Sequence, residues 1–344
     1  MATEVAILHG AGYTGGELIR LLVSHPDVEL TVVTSRAYAG RPIWEAHPSM
    51  RESTTLSFLS AEDADLKDAD AVFVAAEHGQ GARAVVELLD AGYEGIVIDL
   101  SADFRFKDAS IYPDRFGFQH PAPHLLGEFV YGLPETAGTY PAGTRLIANP
   151  GCFATAVTLA LWPLAGNLDS VDARVTALTG ASGSGVHPKP TTHFPTREGN
   201  VRAYKVFRHQ HQPEIEQVLG EAVDLSFVPV SGPWTRGIWG TALVVLEGEQ
   251  EASRAGDWFR SAYQGHRLVR LWPDELPELR YSVGTPFCDL GWVVEGRRMV
   301  VGFAIDNLLK GAASQAVQNM NRLLGLPDAR GLLPTDAVET HLTS

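Results

Sequence analysis

Short apolar runs alternate with helix-like stretches over the first hundred residues. Four runs have the length of a strand, at 5–8, 30–33, 71–75 and 96–100. Between them, at 17–22 and 80–91, apolar residues recur at helical spacing. Strands that alternate with helices predict a parallel, doubly wound sheet of Rossmann type.

The pattern changes after residue 151. A long apolar helix is predicted to begin at Cys152, and runs such as Val175–Leu178 and Thr241–Leu246 are typical of strands with one covered face. The sequence therefore predicts an α/β protein in which an α+β domain with a mainly antiparallel sheet follows the Rossmann domain.

The domain limits follow from these patterns. The Rossmann domain is expected over 1–151 and the α+β domain over 152–305. A late helix over 306–325 is expected to pack back on the first domain, and residues 326–344 are expected to form a tail that frays from about Asp336.

Composition narrows the class of protein. The 344 residues carry a net charge of −14, which argues against general affinity for nucleic acid. No run approaches the roughly 18 apolar residues that cross a bilayer, and the N-terminus lacks a signal-peptide pattern, so we expect no membrane contact and a cytoplasmic location. Only two cysteines occur, too few for a disulfide framework or a four-cysteine zinc site.

A glycine motif follows the first strand. Residues 10–15 fit G-x-G-x-x-G and open a helix, where backbone N–H groups can hold a pyrophosphate. The candidate cofactor-binding residues here are Gly10, Gly12, Tyr13, Thr14 and Gly15. An ordinary glycine-rich turn is the alternative.

The end of the second strand distinguishes the two nicotinamide cofactors. NAD enzymes tend to place an acidic residue there for the ribose 2′-hydroxyl. This chain has Ser35 and Arg36 instead, after Thr34. Because a guanidinium grips a phosphate that a carboxylate would repel, we predict NADP(H); a solvated Arg36 is the alternative.

Cys152 stands where the long helix starts, after Asn149-Pro150-Gly151. A thiolate there faces unpaired N–H groups and the positive end of the helix dipole, which favour the ionised form. We therefore predict that Cys152 is a nucleophile. Cys288 has no such setting and is interpreted as structural.

Two imidazoles and a carboxylate occur within six residues, as His209, His211 and Glu214. In an extended stretch the two histidines would point to the same side, and Glu214, in the first turn of a helix begun by Pro213, could orient one of them. Surface histidines and a metal pair are the alternatives. H-x-H without a further well-spaced ligand is a poor zinc site, so no metal is predicted.

A basic segment from His187 to His211 stands out in this acidic chain, with Glu198 as its one acidic residue. Its candidate binding residues are His187, Lys189, His193, Arg197, Arg202 and Lys205. Such a segment can attract an acidic substrate, a phosphate or an acidic protein, although charge runs are usually solvated faces.

Taken together, several segments resemble the N-acetyl-γ-glutamyl-phosphate reductase family over nearly the whole chain. They are Gly10 to Gly16, Asp99 to Arg105, Tyr131 to Glu135, Asn149 to Cys152, His209 to Glu214, Arg236-Gly237 and Asp306 to Ala313. The resemblance implies that Cys152 attacks an acyl phosphate, that phosphate leaves, and that NADPH reduces the thioester to an aldehyde. It makes His211 the acid/base, assisted by His209 and Glu214.

The resemblance also supplies the remaining site residues. It assigns Ser101, Ser182, Gly183 and Asn307 to the cofactor, and Arg105, Asn149 and Arg236 to the substrate. It implies a homotetramer with a catalytic and dimerisation domain.

Within the family the chain looks more like the lysine-biosynthetic branch, whose substrate is L-2-aminoadipate 6-phosphate on a small acidic amino-group carrier protein. The segments 182–193, 202–205, 153–155 and 209–214 carry this likeness. The alternative substrate is N-acetylglutamyl or carrier-bound glutamyl 5-phosphate of arginine biosynthesis. Two interpretations from other functional classes remain open: a non-catalytic regulator that binds NADP(H), and a thioester hydrolase.

Overall fold

The computed structural model describes residues 3–334 and divides the chain into two compact units. The first unit is Met1–Pro150 with Ala312–Ser344, and the second is Gly151–Gly311. The tail expected from Asp336 onward lies outside the described residues.

The first unit is built on a six-stranded parallel sheet in the order β2-β1-β3-β4-β6-β5. Its strands are β1 (Thr3–Leu8), β2 (Val28–Val33), β3 (Ala71–Val74), β4 (Ile96–Asp99), β5 (Val130–Tyr131) and β6 (Leu146–Ala148). The central strand β3 is buried at all four positions, which explains its unbroken apolar sequence.

The second unit contains a seven-stranded mixed sheet in the order β11-β12-β13-β10-β7-β9-β8. Its strands are β7 (Val171–Thr179), β8 (Arg202–Ala203), β9 (Val223–Ser231), β10 (Ile238–Val245), β11 (Val269–Pro273), β12 (Cys288–Glu295) and β13 (Arg298–Ile305). The pairs β7/β9 and β11/β12 are parallel and the other described pairs are antiparallel. The predicted fold class is therefore confirmed.

Helices complete both units. Those of the first unit are α1 (Tyr13–Val23), α2 (Gly81–Asp90), α3 (Ile111–Arg115) and α4 (Pro134–Ala137). Those of the second are α5 (Cys152–Ala165), α6 (Phe194–Arg197), α7 (Gln212–Leu219), α8 (Glu249–Ala262) and α9 (Leu279–Ser282), and α10 (Ser314–Leu323) returns to the first. No helix of residues 3–334 is long and apolar enough to cross a bilayer.

The chain leaves the second unit differently from the predicted single helix over 306–325. After β13, a π-helical turn covers Leu309–Ala313 and α10 begins only at Ser314. The N–H of Gly311 bonds to the C=O of Asp306 at 2.9 Å, five residues back, which is the spacing of a π-helix. The second unit thus ends at Gly311 and not at residue 305.

The described part of the predicted tail, up to Pro334, packs on the first unit. Ala329 is buried, and Arg330 forms an ion pair with Asp27. The His25 ring nitrogen Nε2 also bonds to the C=O of Arg330 at 3.0 Å. These contacts make residues 326–334 part of the unit.

Asp99, the last residue of β4, gives the first unit a pH-dependent stability. It is fully buried, and its carboxyl group accepts hydrogen bonds from the N–H and hydroxyl of Ser101 at 3.0 and 2.7 Å. Burial, and next the charge of Asp103, raise the pKa of Asp99 to about 7. The folded chain therefore keeps a proton that the unfolded chain loses near pH about 4.

We expect Asp99→Asn to change how stability depends on pH. The contribution of the protonated Asp99 is fully present below about pH 4 and is lost as pH rises through about 7. In urea unfolding, the wild type should therefore lose stability relative to Asp99→Asn between about pH 4 and pH 7. The exposed Asp90, changed to Asn, is the control and should follow the wild type. A constant difference between wild type and Asp99→Asn would contradict this account.

Candidate active site

Cys152 is the first residue of α5, and Gly151 is its extended N-cap. The thiol is partly exposed at the positive end of a 14-residue helix, in the setting that favours a thiolate. Cys288 lies completely buried in β12.

Glu214 and His211 both meet the backbone just before Cys152. The carboxylate of Glu214, which has no exposed surface, accepts the N–H of Gly151 at 2.9 Å. The His211 ring lies so close to Gly151 that a β-carbon there would stand 2.4 Å from Nε2. His211 Nε2 is also 3.9 Å from Glu214 Oε1. The helix start, the imidazole and the carboxylate therefore form one cluster within the second unit.

The ring of His209 packs against the ring of His211. Their rings meet edge to face at 4.8 Å, and His209 also contacts Phe153 and Phe227. Burial, followed by the charges of His211 and Lys205, lowers the pKa of His209 to about 2. Its Nδ1 accepts the N–H of His211 at 3.1 Å. His209 is thus a neutral side chain whose acceptor nitrogen is already used.

The expectation that an extended stretch aligns the two histidines is wrong. His211 has helical dihedral angles, and the N–H of Gln212 bonds to the C=O of His209 at 3.0 Å. A turn therefore brings the two rings together. As predicted, Pro213 and Glu214 lie in the first turn of α7.

Two residues near Cys152 lie in segments that the sequence singled out, but their contacts at this site were not predicted. A β-carbon on Gly311 would stand 2.7 Å from Cys152 Cβ, so glycine allows the π-helical turn to approach the cysteine. Tyr204 is largely buried with its ring edge to face against His209 at 5.6 Å. Burial, and next the nearby Cys152, raise the pKa of Tyr204. Both contacts depend on tertiary packing, which the sequence of either segment does not reveal.

The glycine turn in the first unit has the shape that a dinucleotide needs. A β-carbon on Gly15 would stand 2.3 Å from the carbonyl oxygen of Gly10, and one on Gly10 would stand 2.4 Å from Val33. A β-carbon on Gly12, the N-cap of α1, would meet nothing within 4 Å. Two glycines thus let the turn pack tightly, and the third leaves open space before a helix start without acidic residues in its first turn. These residues fit a pyrophosphate.

His47 braces this turn and was not predicted. Its Nε2 lies 2.8 Å from the carbonyl oxygen of Gly10, to which it must donate its proton. A β-carbon on Gly16 would stand 2.7 Å from the same ring. The imidazole therefore fixes the turn from one side.

The end of β2 presents Arg36 to solvent, while Thr34 and Ser35 are buried. The Thr34 hydroxyl accepts the N–H of His9 at 3.1 Å, and the Ser35 hydroxyl accepts the N–H of Tyr38 at 3.3 Å. Each hydroxyl still has a proton to donate. The residues in this place suit a phosphate, and its binding stays a prediction.

Three other candidates of the first unit make internal contacts. The Ser101 hydroxyl donates to Asp99 and accepts the N–H of Asp103 at 3.1 Å. Arg105 donates to the carbonyl oxygens of Asn149 and Leu100 at 2.8 and 3.1 Å, and Asn149 donates to that of Ala312 at 3.2 Å. All three are buried. The contacts shape the loops that they join, and direct ligand contact by these residues stays a prediction.

The predicted site residues that follow β7 also form contacts within the second unit. The side chains of Ser182 and Asn307 are hydrogen-bonded at 3.0 Å, and Asn307 accepts the N–H of Gly237 at 2.6 Å. Arg236 forms an ion pair with the buried Asp306 at 2.5 Å. Gly183 is exposed next to Ser182. The structure thus joins Ser182, Gly237 and Asn307, which are far apart in sequence.

The basic segment from His187 to His211 is mostly exposed. Side chains of Lys189, Arg202 and Arg208 reach solvent, as do His187 and His193. Lys205 donates to Gln210 at 2.9 Å and has a left-handed φ of +46°. Arg197 is half-buried and donates to the carbonyl oxygen of Thr179 at 2.9 Å, so its guanidinium is partly used within the unit.

Apolar side chains share this surface, which sequence reasoning overlooked. Phe194, Val201 and Phe207 are 72%, 57% and 59% exposed. The basic segment therefore offers exposed apolar area as well as charge, and both can contribute to contact with another protein. Throughout residues 3–334, no group of three or more His, Cys, Asp or Glu residues is placed to hold a metal ion.

Comparisons with known proteins extend these observations. The family model for the semialdehyde dehydrogenase NAD binding domain matches residues 4–139, and that for the semialdehyde dehydrogenase dimerisation domain matches 152–307. An N-acetyl-gamma-glutamyl-phosphate reductase of Rubrobacter xylanophilus is 42% identical, with 96% of this chain and 99% of that protein covered.

A LysW-L-2-aminoadipate/LysW-L-glutamate phosphate reductase of Saccharolobus solfataricus is 38% identical, with 96% of each chain covered. A solved aspartate semialdehyde dehydrogenase II of Vibrio cholerae has the same fold, with a TM-score of 0.72 at 16% identity over 94% of this chain and 99% of that one. The resemblance found in the motifs is thus confirmed. The chain belongs to the semialdehyde dehydrogenase family of oxidoreductases, in the branch that includes N-acetyl-γ-glutamyl-phosphate reductases and LysW-linked phosphate reductases, and its first unit is the NAD(P)-binding domain.

Proposed function

We propose that this enzyme reduces an acyl phosphate to an aldehyde with NADPH, through a thioester on Cys152. The observation that carries this proposal is the cluster in which Glu214 holds the N–H of Gly151 and His211 packs on the same glycine, directly before Cys152. A nucleophile at a helix start with an imidazole and a carboxylate beside it is the arrangement that covalent acyl transfer needs.

The reaction has two stages at Cys152. The Sγ thiolate attacks the carbonyl carbon, a C–S bond forms, and the bond from carbon to the phosphate oxygen breaks, so that inorganic phosphate leaves. When bound, NADPH supplies the hydride that reduces the thioester carbon. The C–S bond then breaks, and Cys152 leaves as a thiolate while the aldehyde is released.

His211 is the proton carrier in this proposal. It is the imidazole that touches Gly151, and Glu214 at 3.9 Å favours its charged form. A charged imidazole can stabilise the thiolate and protonate the developing oxyanion of the thioester. His209, neutral and hydrogen-bonded to the backbone of His211, positions that ring.

NADPH is preferred to NADH because Arg36 lies just after β2, where an NAD enzyme carries a carboxylate. A guanidinium binds the doubly charged 2′-phosphate of NADPH much more strongly than the uncharged 2′-hydroxyl of NADH. The hydroxyls of Thr34 and Ser35 retain protons for the same group.

The substrate we favour is L-2-aminoadipate 6-phosphate linked to a small acidic carrier protein. The basic residues Lys189, Arg202 and Lys205 give a docking surface of the required charge, and Phe194 and Phe207 supply apolar contact area on the same segment. The relative from Saccharolobus solfataricus is named for a LysW-linked substrate. Glutamyl 5-phosphate is the second candidate, because the relative from Rubrobacter xylanophilus is named for its N-acetylated form and the one from Saccharolobus solfataricus also for a LysW-linked glutamate.

The test compares kcat/KM for four acyl phosphates: aminoadipyl and glutamyl, each free of carrier with an acetylated amino group and each carrier-linked. We expect the carrier-linked aminoadipyl phosphate to have the highest value. Arg202→Glu should raise KM for it about three- to tenfold and weaken its salt dependence, with little change for free substrates. Lys205→Glu should behave in the same way.

Lys67→Glu reverses an exposed charge of the first unit and is the matched control, with kinetics like those of the wild type. Equal effects of Arg202→Glu on free and carrier-linked substrates would reject the docking surface. An enzyme that oxidises NADPH with none of the four compounds would reject the proposed function as a whole.

A further inference from the structure

His9 is held in an unusual backbone conformation beside the glycine turn. Its φ is +60°, in the left-handed region that glycine favours, while neither Gly10 nor Gly12 has a positive φ. Of His9, Gly10 and Gly12, the residue whose backbone conformation favours glycine is therefore the histidine. Strained residues of this kind gather at ligand sites, where surrounding contacts maintain them.

Hydrogen bonds to Thr34 hold His9 in this conformation. The His9 N–H donates to the Thr34 hydroxyl at 3.1 Å, and the next N–H, of Gly10, donates to the Thr34 carbonyl oxygen at 2.8 Å. Thr34 directly precedes Ser35 and Arg36. The end of β1 and the end of β2 are therefore joined at the residue that leads into the predicted 2′-phosphate site.

The His9 side chain is exposed to solvent and responds to two charged residues. Arg36, at the end of β2, and Glu87, on α2, both act on it, and burial followed by Arg36 lowers its pKa while Glu87 opposes this. The ring is therefore neutral at pH about 7 when no anion is near. A dianion brought between Arg36 and the ring would reverse the balance and favour the imidazolium.

We propose that His9 is a second specificity residue for the 2′-phosphate of NADP(H), acting beside Arg36. This inference rests on the NADP(H) preference in the proposed function and adds a residue that no cofactor motif assigns. Binding of NADP⁺ then takes up a proton at His9, so its affinity rises as pH falls toward about 6.5. Binding of NAD⁺, which has no 2′-phosphate, takes up no proton there.

The test is direct binding by calorimetry, without turnover. The ligands are NADP⁺, NAD⁺ and adenosine 2′,5′-bisphosphate, at pH about 6.5 and about 8, in buffers of different ionisation enthalpy so that proton uptake is measured. His9→Asn keeps a residue that tolerates positive φ, and His9→Gly removes the strain, so both variants should fold. Arg36→Ala is the reference variant for the phosphate site.

We expect His9→Asn and His9→Gly to bind NADP⁺ and the bisphosphate about tenfold more weakly at pH about 6.5, with less loss at pH about 8. NAD⁺ affinity should stay within about twofold, and proton uptake with NADP⁺ should fall. The 2′-phosphate of the free ligand titrates in this range in the same way for wild type and variants, so the difference in proton uptake between them reports the pair that His9 forms with the bound phosphate.

If both His9 variants bound NADP⁺ as tightly as the wild type while Arg36→Ala bound it more weakly, the role of His9 would be overturned and that of Arg36 would stand. Parallel weakening of NADP⁺ and NAD⁺ would also overturn it, because it would show that His9 only shapes the turn. A wild type that binds NAD⁺ as tightly as NADP⁺ would overturn the NADP(H) preference and this inference with it.

Discussion

Cys152→Ser is expected to abolish reduction, with kcat at least about a thousandfold below that of the wild type. The serine hydroxyl has nearly the same size but is almost un-ionised at neutral pH, so the helix start has no anion to stabilise. NADP⁺ affinity, measured by calorimetry, should be unchanged because the substitution alters none of the candidate cofactor-binding residues, and the glycine turn and Arg36 belong to the other unit.

Intact-protein mass spectrometry checks the same prediction without turnover. Mixed with the acyl phosphate in the absence of NADPH, wild-type protein should gain the mass of one acyl group, and Cys152→Ser should not. Cys288→Ala removes the other, buried cysteine and should be acylated like the wild type. Reduction that persists in Cys152→Ser, or acylation that depends on Cys288, would contradict the proposed thioester on Cys152.

Gly151→Ala is expected to lower kcat about a hundredfold without changing the identity of any catalytic group. The new β-carbon would stand 2.4 Å from His211 Nε2 and 2.5 Å from Cε1, so the ring must move away from the start of α5. A displacement of about 1 Å in a reacting group has an effect of this size. KM should change much less than kcat, because the docking surface proposed for the basic segment is untouched.

Gly166→Ala is the matched control, since Gly166 ends the same helix with a φ of −80°. Its β-carbon would have its nearest neighbour, a carbonyl oxygen, at 3.6 Å, an ordinary contact. This variant should keep kcat within about twofold. If Gly151→Ala were equally active, the approach of His211 to Gly151 would have no part in catalysis.

Features encoded in neighbouring residues were predictable from sequence. The glycine turn before α1, the start of α5 at Cys152 and the place of Glu214 in the first turn of α7 each depend on a few consecutive residues. The apolar run of β3 indicates a strand covered on both faces, so the parallel sheet could be inferred as well.

Other features depend on packing between distant residues and could not be read locally. Gly151 looks like a helix N-cap in sequence, but the reason for glycine is the ring of His211, sixty residues later. The π-helical turn at Leu309–Ala313 has the same apolar spacing as an α-helix, so periodicity could not separate the two. The positive φ of His9 also appears only in the folded chain, since histidine gives no turn signal of its own.

The return of α10 to the first unit determines when that unit can be completed during synthesis. Its polar side chains Gln315, Gln318 and Asn319 are buried, and Asn319 bonds to the carbonyl oxygen of Gly132 at 2.9 Å and to the Tyr140 hydroxyl at 2.5 Å. A nascent chain that ends before α10 leaves these partners unsatisfied. Domains generally fold from the N-terminus on the ribosome. In this chain the whole second unit is synthesised before the last helix of the first unit. A premature stop after Gly311 would therefore leave an incomplete dinucleotide-binding domain, which proteases would degrade.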